Sequence, residues 1–589
     1  MKKHKQQTSK FEKMSLFFGL NNFLRLKFHK LFISMTGVFL AASTLGAELN
    51  VRDFGATGDG KTDDTEAFNR AVKALKASAP GSILKLPAGS YFFSGTGKIN
   101  NGNLVIERLE NQTIEGEGIN TVLLFGNPQH KGLRALHCRK STFRNFTIRY
   151  LPPLAIQGTV SSAGASELTL KLDSADKEPL MFSPLHIIFF RPDGTYEHKI
   201  PRNRIKSMEQ LPDGQYRIIT EWPFGAIVTP GLSAVIFYRF NNSTAFNNEF
   251  SNDCTIENVT INNGPSAAFS ATNCSGMKFI ACRVVPEKGR LLSTAADGVH
   301  VKNNRRGPQI IDCVFRNMCD DGINISTMAA PVYSVNGEVM VIDSNLPYEK
   351  GDKLTIYDGR DLKEYTSVLI AALRRIDQKG KRVWEVTAED TLPEIPRTLE
   401  ITGKEFDRKN LPALALNLSI AGAGSRIINC EFADHRARGI LLRAPAIIEN
   451  CRFRNLRGPA ILLAPETYWL ESGDLSDITI QNNRFDDIGL TNIQVEAFGA
   501  DHRPQAVSGK IIRNLVIRNN IFNNYGIPSP ENSGYGVHGR IINVTNGENI
   551  LISGNIFGRP HPVAVPTAAI TTPGSKNVTI ENNNMEMNK

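Results

Sequence analysis

The sequence predicts an all-β protein built as a parallel β-helix, with an N-terminal capping helix and two inserted β-rich (barrel-like) subdomains. Three observations predict it: a short phrase recurs at irregular intervals, each repeat is too small to bury its own apolar face, and an amphipathic helix precedes the first repeats. At 589 residues the chain exceeds what one compact core usually holds, which favours an architecture that gains core by length.

The first 47 residues read as an export signal. They open MKKHKQQTSKFEK, stay basic to Lys30, run on as LFISMTGVFLAASTLGA and reach a small-residue exit near Ala47. The apolar run is short for a membrane span, so the mature protein is expected to be secreted or periplasmic, without a stable membrane span. An uncleaved anchor and a start at Met14 are alternatives the leader leaves open. The leader also explains the charge. Of the net +10, residues 1–47 supply eight Lys and Arg against one Glu, which leaves 60 against 57 beyond them. Nothing after the leader supports nucleic-acid binding.

Residues 48–150 are expected to hold the cap and the first coils. In TDDTEAFNRAVKAL, Phe68, Ala71, Val72 and Leu75 share one helical face, and Asp63 and Glu66 have the spacing of a capping box. Such a helix would plug the open end of a solenoid.

The repeat itself reads FIACRV, IIDCVF, IINCEF and IENCRF, then IQNNRF, IRNNIF, ISGNIF and IENNNM. One slot is held first by Cys282, Cys313, Cys430 and Cys451, then by Asn483, Asn520, Asn555 and Asn583. Short Val-, Ile- and Phe-rich strands joined by Asn, Gly and Asp turns must stack to bury their faces. In a parallel β-helix each unit lies about 4.8 Å from the next, so equivalent side chains form ladders. Stacked amides satisfy one another and a small thiol fills the same space, so these cysteines are expected to be buried and reduced rather than paired. Leucine-rich repeats and β-propellers would show signatures that are absent.

Two stretches interrupt the repeat, residues 151–243 and 328–412, and both are rich in strands such as LHIIFFRPDGTYEHKI and KLTIYDGR. Inserts of this length are more than loops; they either wall a cleft or form a homodimer contact, and the sequence leaves both open. Coils are expected at 244–327 and again at 413–589.

Aligning second strands sets ADGVHV over DDGINI, with Asp297 one 24-residue unit before Asp321 and Asp320 beside it. Arg438, from ARGILL, falls in the same column. His300 lies over Asn324 on the outward face, while Val299, Val301, Ile323 and Ile325 point inward. Three carboxyls on neighbouring strands repel, so at least one is expected to keep its proton near neutral pH. Glycoside hydrolysis uses such a cluster: an inverting enzyme needs an acid and a water-activating carboxylate about 6.5–9.5 Å apart. Turn signalling by Asp-Gly pairs and a calcium site are the competing readings. Arg290 and Arg438 are candidate sugar or acid contacts, and His300 and Asn324 candidate substrate contacts. Glu466, Trp469 and Glu471 stand on a loop by the same face, where an indole could stack on a sugar ring.

The stretch NVRDFGATGDGKTDDTEAFNRAV with LPAGSYFF resembles the N-terminal opening of the pectate-lyase-like superfamily, which implies a right-handed β-helix. The run GRLLSTAADGVHV, CDDGINI, DHRARGILL and GPAILLAPETYWLESGDLSDITIQNNRF, most specifically around Asp297 and Asp320-Asp321 and through Trp469 to Gly473, resembles glycoside hydrolase family 110, the exo-acting α-1,3-galactosidases. The resemblance runs with gaps over about residues 50–525. It implies inverting release of terminal α-1,3-linked galactose from glycans without metal or cofactor. By position, Asp320 would be the general acid, and Asp297 with Asp321 would hold and deprotonate the water. Ile325, Ser326 and Thr327 stand where the family continues Val-His-Gly, which leaves the sugar open. A polygalacturonase-like hydrolase is the first alternative, although its Gly-His-Gly and Arg-Ile-Lys motifs are missing and Gly536-Val537-His538-Gly539 is not equivalent. A non-catalytic carbohydrate-binding β-helix is the second.

Overall fold

A computed structural model describes residues 46–589, apart from 96–101, 152, 177–179, 181–182, 225–226, 344–345, 402–409, 500–502, 526–539, 562–568 and 586–589. Nearly all of the expected leader, and the Gly-Val-His-Gly run at 536–539, lie outside the described residues. Among the described residues no helix is long and apolar enough to cross a membrane.

From residue 47 on, short parallel strands stack into a β-helix. One 24-stranded sheet wraps part of the coil, and a second run of parallel strands, from Gly102–Glu107 to Ile570–Thr571, makes the face that carries the acids. The repeated phrase supplies the corners. Cys451 N–H donates to Asn483 Oδ1 (2.8 Å), and the amides of Asn483, Asn520, Asn555 and Asn583 then bond one to the next at 2.9–3.0 Å. The residue ahead of each slot, among them Asn429, Asn450, Asn482, Asn519 and Asn582, has φ between 51° and 63°. Asparagine tolerates this left-handed turn better than most residues, which accounts for the Asn-Cys and Asn-Asn pairs in the motif. The aromatic position of the phrase is equally regular: Phe315, Phe432, Phe453, Phe485, Phe522 and Phe557 stack with centroids 4.8–5.2 Å apart. A second corner, built by Cys138, Ser251, Cys274 and Asn304, bonds backbone to side chain in the same way. All eight cysteines are buried and free.

The helix Thr65–Ala77 covers the first coils with Ala67, Phe68, Ala71, Val72 and Leu75. The expected capping box does not form. Asp64 is the N-cap residue and turns its carboxylate away, accepting from Thr57 and Gly58 N–H (2.7 and 3.1 Å), while Asp63 accepts from Thr65 N–H. That carboxylate ties the preceding loop instead of the helix end.

Both interruptions close into six-stranded antiparallel barrels. The first runs through Ala155–Ala163, Glu167–Leu172, Tyr216–Thr220, Asn203–Gln210, Leu185–Phe190 and Ser233–Tyr238 in spatial order. The outer side of this barrel packs Ile188, Phe190, Val235 and Phe237 against Leu292, Ala295 and Cys319 of the β-helix. The second barrel begins inside the β-helix. Strand Ile323–Asn336 pairs in parallel with Val299–Lys302 and Ile440–Leu442, then continues antiparallel to Val339–Asp343 and Ala413–Asn417. Lys353–Asp358, Glu364–Gln378 and Lys381–Ala388 complete the ring.

Candidate active site

Val299 pairs with Ile323 and Ile323 with Ile440, so Asp297, Asp321 and Arg438 stand on consecutive rungs at the N-terminal edge of one face. The glycines after the two acids allow this. A Cβ on Gly298 would lie 2.4 Å from Gly322 O and 2.5 Å from the Phe315 ring, and one on Gly322 would lie 2.4 Å from Gly439 O and 2.5 Å from the Phe432 ring. The acid-bearing turns are thus pressed onto the phenylalanine stack, a stronger constraint than turn formation alone.

One oxygen from each of Asp297, Asp320 and Asp321 lies within 4.8 Å of the others. This is tighter than the about 6.5–9.5 Å expected of an inverting pair, although two oxygens that close can both bond one water at about 2.8 Å. The same oxygens could share a cation, but guanidinium groups already balance their charge. Arg239 Nη1 donates to Asp320 Oδ2 (2.5 Å) and Arg436 Nη2 to Oδ1 (3.0 Å). Arg438 grips Asp321 through Nε and Nη2 at 2.7 and 2.8 Å. His300 Nδ1 lies 2.8 Å from Asp297 Oδ2.

These surroundings split the two adjacent acids. Burial opposes the ionised form of Asp320, but Arg239, Arg436 and Arg202 outweigh it and hold the carboxyl well below the usual range. Burial, with the charges of Asp320 and Asp297, pushes Asp321 up to about 7 against the pull of Arg438. Of the two, Asp321 is the one that holds a proton toward neutral pH, whereas the family resemblance makes Asp320 the acid.

Behind the acids runs a second tier. Glu466 Oε1 accepts from Arg438 Nη1 (2.8 Å) and its Oε2 from the fully buried Arg443 (2.6 Å). Arg443 also donates to Asn324 Oδ1 and Glu471 Oε2, and Lys302 Nζ lies 2.9 Å from Glu471 Oε1. Despite its burial, Glu471 is held well below the carboxylate range by Lys302, Arg443 and His300. Trp469 is 47 % exposed on the loop between the two glutamates.

The structure thus gathers Asp297, Asp320, Asp321, His300, Asn324, Arg438, Glu466 and Glu471 into one network. Arg290 is not part of it: the guanidinium donates to Asp176 (2.7 Å) and to Ala155 O (2.6 Å), pinning the first barrel to the β-helix. Sequence reasoning missed Arg239, Arg436, Arg443 and Lys302. Strand alternation carried a signal for two of them, since Lys302 follows His300 by two and Arg443 follows Leu441 by two on the outward side. Arg239 gave none, because it reaches Asp320 from the end of the first barrel, across 81 residues.

Two family models match parts of the chain. A family model described as rhamnogalacturonase A/epimerase, pectate lyase-like, matches residues 49–149, and one described as right handed beta helix region matches 398–584. The class they describe is the right-handed parallel β-helix, which is the fold seen here, and the model matched by the first coils is pectate-lyase-like. More particularly, the chain is a homologue of proteins named alpha-1,3-galactosidase. It is 24 % identical to alpha-1,3-galactosidase B of Bacteroides thetaiotaomicron, over 77 % of this chain and 78 % of that one. It is 23 % identical to alpha-1,3-galactosidase A of Bacteroides fragilis, over 81 % and 84 %. Among solved structures, the A-module of the Azotobacter vinelandii mannuronan C-5 epimerase AlgE4 superposes with a TM-score of 0.37 at 12 % identity, covering 91 % of this chain and 95 % of that one. The galactosidase homologues support a glycoside hydrolase with a carbohydrate substrate.

Proposed function

We propose that the protein is an exported exo-glycosidase that releases terminal α-1,3-linked galactose from glycans with inversion at the anomeric carbon. The observation that carries this reading is the trio Asp297, Asp320 and Asp321, one oxygen of each within 4.8 Å of the others, with Asp320 held low by its arginines and Asp321 pushed up by burial and like charge. The homologues' name supplies the sugar and linkage, and the basic and apolar leader supports export.

In this mechanism the adjacent carboxyls Asp320 and Asp321 act as one acid, because strongly interacting groups titrate as a pair. Asp320 faces Arg239, Arg436 and Arg202, which favour its ionised form, whereas Asp321 has Arg438 alone against burial and two like charges; the proton waits on Asp321 and passes to Asp320 when substrate displaces an arginine. The glycosidic oxygen takes that proton as its bond to C1 breaks. Water attacks C1 from the opposite face and gives its proton to Asp297, which His300 holds in place.

Proton NMR of the protein mixed with a galactose-α-1,3-galactose glycan tests the reading through the first anomeric signal to appear. Free β-galactose supports sugar, linkage and inversion together. Free α-galactose keeps the sugar but replaces inversion with retention, which the close carboxyl spacing would suit. Cleavage of oligogalacturonate alone would overturn the galactosidase reading.

A further inference from the structure

The 466–471 hairpin crosses the outward face of the β-helix, and its own sequence does not fix where its tip points. Glu466 and Glu471 are antiparallel bridge partners whose backbones exchange two hydrogen bonds (2.9 and 3.3 Å). One 3-10 turn, Thr467–Trp469, followed by left-handed Leu470 (φ 58°), closes the tip. There Trp469 meets Tyr468 edge-on at 4.9 Å.

Arg443 lies directly beneath, with no exposed surface. Its Nη2 donates to Glu466 Oε2 (2.6 Å), its Nη1 to Glu471 Oε2 (3.2 Å) and Asn324 Oδ1 (3.1 Å), and its Nε to Ala464 O (2.6 Å). One planar fork therefore holds both feet of the hairpin. A lysine, with a single nitrogen, cannot reproduce that grip. The remaining oxygen of each glutamate turns toward the acids: Glu466 Oε1 meets Arg438, which grips Asp321, and Glu471 Oε1 meets Lys302 and lies 3.8 Å from His300 Nε2, whose other nitrogen faces Asp297. One arm runs from Arg443 through Glu466 and Arg438 to Asp321, the other through Glu471 and His300 to Asp297, and the two meet at the acids, across from Arg443.

We propose that Arg443 is a positioning residue, clamping the hairpin through Glu466 and Glu471 so that the Trp469 indole stands as a stacking platform for the sugar bound at Asp297, Asp320 and Asp321. The proposal rests on the glycosidase reading for its ligand. The clamp itself does not depend on that reading.

Two measurements test it. In a chain with Trp222 and Trp384 replaced by phenylalanine, acrylamide quenching of the remaining Trp469 is compared with and without Arg443→Lys, alongside the Tm of each. A clamp predicts that the substitution changes quenching while the chain stays folded at the assay temperature; unchanged quenching in the folded variant overturns the proposal. Kinetics on the galactose-α-1,3-galactose glycan form the second arm. Arg443→Lys and Trp469→Ala should each raise KM about tenfold, with kcat changed much less, and the double variant should be no worse than Trp469→Ala alone. Effects that multiply, or a loss confined to kcat, overturn the proposal. A wild-type chain that releases no galactose defeats the catalytic reading, and the quenching arm then decides the clamp by itself.

Discussion

Asp320 and Asp321 are the same side chain one residue apart and burial opposes the ionised form of both, yet three arginines outweigh it at Asp320, while burial and like charge outweigh Arg438 at Asp321. Replacing Asp320 with Asn should lower kcat by roughly 10² to 10⁴ while leaving glycan binding nearly intact, as turnover and isothermal titration would show. Asp321 makes a different prediction. Its native carboxyl binds a proton up to about pH 7, against an ordinary value of 3.8, so the stability this adds is complete in acid and is lost as pH rises through about 7. Calorimetry should therefore find that Tm falls less between about pH 5 and 8 in Asp321→Asn than in the wild type. The column of acids was legible in the sequence because a 24-residue offset and strand alternation locate it. The arginines that set its charge were not, since a surface arginine and a buried one look alike until the fold brings Arg239 and Asp320 together.

At the scale of the element, the corner ladder shows what a repeating phrase encodes. Its periodicity made the coils legible, and the Cys-or-Asn slot marked the corner. The capping box failed because Asp63 and Glu66 satisfy only a spacing rule: Asp64 takes the N-cap position and its carboxylate bonds Thr57 N–H in the preceding loop, while Asp63 accepts from Thr65 N–H. Each amide in the ladder serves two neighbours: Asn520 donates to Ile480 O and Asn555 Oδ1, and accepts from Asn483 through both backbone and side chain. Truncating it strands several buried polar groups at once. Asn520→Ala should cost about 3 kcal/mol in denaturant unfolding, with each orphaned group adding about 1–3 kcal/mol before relaxation. Asn514, which bonds Asp477 at the surface, should cost far less when changed to alanine.

For the whole molecule, stability comes from stacked apolar rungs rather than from cross-links. All eight thiols are buried, and burial pushes Cys254 and Cys274 up to about 12, far from the reactive thiolate. A reductant should leave Tm unchanged, and a thiol reagent should label none of the eight cysteines in the native protein and all of them in denaturant. The sequence marked both inserts by interrupting the repeat, but closure into barrels depends on pairings between distant strands that local pattern does not carry. The strand Ile323–Asn336 gives the second barrel a consequence for synthesis. On the ribosome an unbroken solenoid can lay each new coil on the one before, but here Asp312 waits 117 residues for Asn429. The barrel shortens that wait, because it closes largely through neighbouring hairpins and its last strand returns beside the first, pairing Leu416 with Ala329. It works as a folding jig that hands the chain back to the spot where the coil left off.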